Sequence, residues 1–252
     1  MHQRPKTIFQ DSVRLTPANI DSTYKLRVSA LVSFLIEAAW KHAEELGYGI
    51  NYLHENNLVW VLSRLHLRIL NLPTWNENLQ ILTWPKTIHR LFYVRDAEVK
   101  SPTGDTIALA TSQWLIIDTT AKRPKLVDIT NPVFSENADI HAIDNIEPVV
   151  NIPEGQKVSS EFQPAYSDID LNQHLTTTRY IDKMMDSLPF EIHRKNKVSE
   201  LMINFRKEIA FNTRVSIEKA TDTTRNEHFF QFTSNAGKTN HCAGRITFSP
   251  NV

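Results

Sequence analysis

The chain has 252 residues, its 28 Lys and Arg balance 28 Asp and Glu, and 41% of it is hydrophobic. A chain of this length buries a core without staples, and its one cysteine, Cys242, excludes an intrachain disulfide and a cysteine-rich zinc site. Zero net charge without a basic–aromatic array argues against nucleic-acid binding, and no apolar run approaches the ~20 residues of a membrane-spanning helix. The ten histidines show no metal-ligand spacing, so neither a metal nor a cofactor is expected. The opening Met1-His-Gln-Arg-Pro-Lys6 lacks the apolar stretch of a secretory leader. With the lone cysteine, this points to a reducing, cytoplasmic setting.

In chain order, residues 29–46 are the first strong element. Leu31, Phe34, Leu35, Ala38, Ala39 and Trp40 recur at helical spacing, and Gly47 is placed to end the helix. Strand-like runs follow at 58–70, 78–84, 92–100 and 106–117, the last two joined by a Pro102-Thr-Gly104 turn. Residues 126–156 hold six acids, no Lys or Arg, and Pro132, Pro148 and Pro153. They read as a connector between units. The order then repeats: an extended lead-in at 158–166, a helix at 173–187, and strands at 199–209, 213–220, 227–234 and 240–248. The expected fold class is α+β, with two antiparallel sheets each wrapping a long helix. The domains divide as 1–125, a linker at 126–156, and 157–252.

The densest chemistry lies at the start of the second predicted helix, where Asp170, Asn172 and His174 fall within five residues. A carboxylate, an amide and an imidazole beside the unpaired N–H groups of a helix N-terminus suit attack on a carbonyl. Asp and Asn before a helix are also common cap and turn residues, and spacing alone leaves both readings open. A second carboxylate, Glu208, ends the run Leu201-Met-Ile-Asn-Phe-Arg-Lys-Glu208, a possible strand.

Several ordered segments resemble the acyl-ACP thioesterase family of plant plastids and bacteria. Asn57-Leu-Val-Trp-Val-Leu-Ser-Arg-Leu65, Leu72-Pro-Thr-Trp75 and Thr83-Trp84 are similar to its N-L-x-W-V-x-x-R and Y-P-T-W-G-D…T-W stretches. Tyr93-Val-Arg-Asp96 with Thr103-Gly104 resembles R-D…T-G-E. Ser167-Asp-Ile-Asp-Leu-Asn-Gln-His174 with Tyr180-Ile181 resembles S-D-L-D-V-N-Q-H…Y-I, and Arg206-Lys-Glu208 stands where the family has R-R-E. The resemblance covers nearly the whole chain and implies a tandem (double) hotdog fold. It implies hydrolysis of a fatty acyl thioester on acyl carrier protein, an acidic partner, releasing free fatty acid and ending chain elongation.

Carried over by position, Asp170, Asn172, His174 and Glu208 are the catalytic candidates. The family was once read as using a Cys directly after that Glu, but this chain has Ile209 there. Cys242 reads as a packing residue instead. Water is then the expected nucleophile and Glu208 the expected base, with Asp170 able to exchange that duty. N–H groups near His174–Thr176 are the expected oxyanion donors. The second half is expected to be catalytic and the first to hold the acyl chain, with Leu31, Phe34, Leu35, Trp60 and Leu62 as an apolar wall. Without a transit peptide the chain resembles a bacterial member, working as a monomer or homodimer. The alternatives are an acyl-CoA thioesterase and a hotdog enoyl-thioester hydratase.

Overall fold

The computed structural model describes residues 7–127, 136–144, 149–155 and 157–251. Much of the expected connector at 126–156 lies outside these residues. Two compact units emerge: Met1–Leu26 with Leu31–Ile146, and Arg27–Ala30 with Glu147–Val252.

In the first unit, β1 (Phe9–Arg14), β2 (Leu58–Ile69), β3 (Asn78–His89), β4 (Phe92–Lys100) and β5 (Thr106–Asp118) pair antiparallel in the order β1-β3-β4-β5-β2, with the short β6 (Arg123–Pro124) on β5. The principal helix is α1 (Val28–Glu45), followed by a short α2 (Ile50–Glu55). Leu31, Val32, Leu35, Ala38 and Ala39 are buried, as their helical spacing requires. Strand β3 runs past the expected end at Trp84. The pairing register shifts between Pro85 and Thr87, a bulge that accommodates a residue with no N–H to give to the ladder.

Strand alternation puts Arg95 and Asp96 on opposite faces of β4. Asp96 is wholly buried and accepts hydrogen bonds from Lys86 Nζ (3.0 Å), Thr111 Oγ1 (2.6 Å) and the Ala142 N–H (2.8 Å). Thr111 is its direct cross-strand partner. Lys86, itself 6% exposed, also reaches the Ile143 carbonyl. A buried charge needs this saturation, because desolvating an unpaired one costs several kcal/mol.

In the second unit, β7 (Val158–Phe162), β8 (Asn196–Phe205), β9 (Val215–Asp222), β10 (Glu227–Ser234) and β11 (Thr239–Pro250) pair antiparallel in the order β8-β11-β10-β9-β7. The helix α3 (Thr177–Asp186) buries Tyr180, Ile181 and Met184 and is followed by α4 (Phe190–Lys195). A side chain at Gly244 of β11 would collide with Met184, so this glycine lets the helix approach its strand. Helix α3 starts at Thr177, later than the expected 173, because Gln173 is left-handed (φ 64°) and cannot join an α-helix. Strand β8 ends at Phe205, which leaves Glu208 in an irregular segment instead of on the expected strand.

Asp96→Ala is expected to destabilise the protein by about 3–5 kcal/mol in urea unfolding, because it strands the buried Lys86 ammonium. A loss below about 1 kcal/mol would show that Lys86 finds water or another partner.

Candidate active site

The loop carrying the candidate residues is built by one carboxylate. Asp170 Oδ1 accepts the backbone N–H groups of Asn172 (2.9 Å) and His174 (3.2 Å), an Asx turn. The Asp170 N–H donates to the His174 carbonyl (2.9 Å), and the Gln173 N–H to the Asp170 carbonyl (3.0 Å). The left-handed Gln173 closes the turn at a cost of about 1 kcal/mol.

One hydrogen bond joins this loop to the second carboxylate. The Leu175 N–H donates to the Ile209 carbonyl at 2.8 Å, and His174 pairs with Ala210 in an isolated bridge. Glu208 therefore lies two residues from the position opposite His174, a diagonal neighbour at roughly 7–8 Å between backbones. Ile209 is fully buried while Glu208 is exposed, so the neighbour anchors the segment and leaves Glu208 accessible. Both Asp170 and Glu208 also act on one buried group. Burial drives the Tyr180 hydroxyl strongly upward, the nearby Cys242, Glu208 and Asp170 add to the shift, and the Ile209 backbone opposes it. Tyr180 is held in turn by edge-on contacts to Phe205 (5.3 Å) and a tilted contact to Phe232 (5.5 Å).

Among the described residues, the Asn172 amide, the His174 ring and the Glu208 carboxylate carry no side-chain hydrogen bond, whereas Asp170 is committed to the loop. The expected oxyanion donors need correction. The His174 N–H goes to Asp170, the Leu175 N–H to Ile209, and the Thr176 N–H to the Asp168 carbonyl at 2.8 Å. Those three are consumed. The first-turn N–H groups of Thr177 and Thr178 are the donors that the loop does not use. Cys242 is fully buried and its thiol is pushed well up by burial, which makes it a packing residue and a poor nucleophile. No cluster of three or more His, Cys, Asp and Glu side chains suited to a metal occurs among the described residues.

The first unit contains the same loop without its chemistry. Asp21 Oδ1 accepts the Thr23 and Lys25 N–H groups (2.8 and 3.3 Å), the Asp21 N–H donates to the Lys25 carbonyl, and Tyr24 is left-handed at φ 63°. Ile20 bridges Leu26 as Ile169 bridges Leu175, and the Leu26 N–H donates to the Pro73 carbonyl at 2.9 Å. Asp21 thus corresponds to Asp170, Thr23 to Asn172, Lys25 to His174 and Leu72 to Glu208. The counterpart precedes Val28-Ser-Ala30, where the expected helix starts put it; the observed starts, Val28 and Thr177, each follow the loop Asp by seven residues.

Among the described residues of the first unit are two clefts with about 520 and 310 Å³ of empty space, open solvent included. Trp60 lines the larger, with Ala39, Ala43 and Tyr93, while Leu35 and Leu62 line the smaller. Leu31 and Phe34, the other expected wall residues, line neither. Arg95 and Trp114 line both. Arg95 Nη1 contacts His42 Nδ1 (3.1 Å) and Thr83 Oγ1 (3.2 Å), and burial lowers the guanidinium to about 9, still charged at neutral pH.

The acyl-ACP thioesterase N-terminal domain family matches residues 6–135, and the C-terminal domain family matches 152–250. A palmitoyl-acyl carrier protein thioesterase of Gossypium hirsutum is 26% identical over 214 residues, 80% of this chain and 52% of its own length. An oleoyl-acyl carrier protein thioesterase of Arabidopsis thaliana is 25% identical over 234 residues, 84% and 62% respectively. The chain therefore spans somewhat over half the length of these curated relatives. An acyl-ACP thioesterase from Bacteroides thetaiotaomicron superposes with a TM-score of 0.88 at 26% identity, over 96% of this chain and 98% of that one. A 12:0-ACP thioesterase from Umbellularia californica shares the fold (TM-score 0.85, 17% identity, 98% of each chain). With the tandem hotdog fold shared and both domain families matched in order, the chain belongs to the acyl-ACP thioesterase family.

Proposed function

We propose that this protein hydrolyses the thioester between a fatty acyl chain and acyl carrier protein, releasing free fatty acid and the carrier thiol. The observation that carries this reading is the contrast between the two loops. One backbone design occurs twice, and only the second copy presents an uncommitted amide, imidazole and carboxylate.

In the proposed reaction, Glu208 takes a proton from water as the water oxygen attacks the carbonyl carbon. The carbonyl oxygen becomes an oxyanion facing the first-turn N–H groups of α3, where the helix end favours negative charge. Asn172 orients the water or the carbonyl. When the tetrahedral species collapses, the C–S bond breaks and the sulfur is protonated, by His174 or by the proton Glu208 has gained. Asp170 builds the loop that aims Asn172 and His174. The acyl chain occupies the apolar cavities of the first unit, with Trp60, Leu35 and Leu62 in the wall. The carrier protein is the macromolecular partner, and the domain roles follow: acyl binding in 1–125, catalysis in 157–252.

The test is fatty acid release from acyl-ACPs of eight to eighteen carbons (~C8–C18), beside the matched acyl-CoAs. Glu208→Gln is expected to lower kcat by roughly 10²–10⁴-fold on the carrier-protein substrates. Hydrolysis confined to CoA esters would reassign the carrier, and formation of a 3-hydroxyacyl product from an enoyl substrate would reassign the reaction. A second expectation concerns chain length: filling the larger cavity with Ala43→Leu, or the smaller with Leu62→Trp, shortens the preferred acyl chain. An unchanged product spectrum from folded variants would place the acyl chain elsewhere.

A further inference from the structure

Glu208 is an exposed residue in the irregular segment beyond the end of β8, with no side-chain hydrogen bond among the described residues to aim it. What the fold holds is its backbone, which sets where the side chain begins. That backbone is gripped from both sides by one residue of β11. His241 is buried, and its own carbonyl accepts the N–H groups of Arg206 (2.9 Å) and Lys207 (3.2 Å). Its ring returns the contact: Nδ1 lies 3.2 Å from the Lys207 carbonyl and 3.1 Å from the Glu208 carbonyl. Carbonyl oxygens only accept, so Nδ1 carries the proton and shares it between the two. In the neutral ring Nε2 is then the acceptor for the buried Ser234 hydroxyl at 2.8 Å.

We propose that His241 is a positioning residue for the reaction, clamping residues 206–208 so that the Glu208 carboxylate is held toward the loop of His174, with Ser234 fixing the ring. The inference rests on the reading of Glu208 as the proton acceptor. Position matters here because an error of about 1 Å at a reacting group costs on the order of 10²-fold in rate.

The experiment measures kcat and KM on a saturated acyl-ACP, with thermal unfolding, for His241→Leu, His241→Asn, Ser234→Ala, Glu208→Gln and the double variant His241→Leu/Glu208→Gln. His241→Leu is expected to lower kcat roughly 10- to 100-fold with KM unchanged. His241→Asn, whose amide nitrogen can occupy the place of Nδ1, restores most of that loss. Ser234→Ala costs about 3- to 10-fold, the worth of one hydrogen bond, and keeps the inference testable if His241→Leu does not fold. Because His241 acts through Glu208, adding His241→Leu to Glu208→Gln costs little more. A wild-type kcat in His241→Leu, or losses that multiply in the double variant, would overturn the clamp while leaving the base intact. A fully active Glu208→Gln would instead remove the base and, with it, the clamp's object.

Discussion

The hydrogen bond from the Leu175 N–H to the Ile209 carbonyl brings together the two segments, distant in sequence, that carry the candidate residues. Everything else at the site stands on either side of it. On one side the Asx turn of Asp170 shapes residues 170–174 and sets where α3 can begin. On the other, the buried Ile209 and the His241 contacts fix the irregular segment that carries Glu208. Tyr180 fills the space beneath, wedged against Phe205 and Phe232, and feels both carboxylates. None of the groups proposed for chemistry contributes to this framework through its side chain, apart from Asp170. That separation lets a site be changed without unfolding its support.

The first unit illustrates the same separation in reverse. It keeps the Asp, the left-handed residue and the cross-segment hydrogen bond, yet carries Thr23, Lys25 and Leu72 where the second unit has Asn172, His174 and Glu208. The features common to both loops are those that hold backbone, and the features that differ are those with free polar ends. Its own polar investment goes into the saturated Lys86–Asp96 pair and into Arg95 beside the cavities. In the proposed division of labour, this unit shapes an apolar space and the second supplies the acid–base groups.

Much of this was legible in the sequence. Most strands of both units follow their apolar runs, though the polar β1 and the two-residue β6 do not, and the Asp-x-Asn-x-His cluster and Glu208 stand out by residue type. What the sequence hid was hydrogen-bond accounting. Helical spacing extends to Gln173, but one left-handed residue forbids it, and nothing in its side chain announces that. The N–H groups of His174, Leu175 and Thr176 looked free because helix starts leave such groups unpaired, whereas tertiary partners at Asp170, Ile209 and Asp168 take all three. Glu208 read as part of a strand because its run is apolar, yet β8 ends where His241 takes over the backbone. His241 itself gave only a weak signal, a histidine before a buried Cys-Ala-Gly. The duplicated loop did leave a trace: Ile20-Asp21 and Leu26 recur as Ile169-Asp170 and Leu175 at the same spacing. Anchoring the comparison on the expected helix starts, 29 and 173, missed it, although α1 and α3 in fact begin seven residues after Asp21 and Asp170 alike.

Whether Asp170 only shapes the loop, leaving proton transfer to its neighbours, is decided by the single-turnover hydrolysis rate of Asp170→Asn beside Asp170→Ala. Asparagine keeps an oxygen that can accept the Asn172 and His174 N–H groups but cannot take a proton at neutral pH. If Asp170 is the loop's builder, Asp170→Asn stays within about tenfold of the wild-type rate while Asp170→Ala loses rate and stability together. A fall of roughly 10²–10⁴-fold in a well-folded Asp170→Asn would contradict that role and make Asp170 the proton carrier.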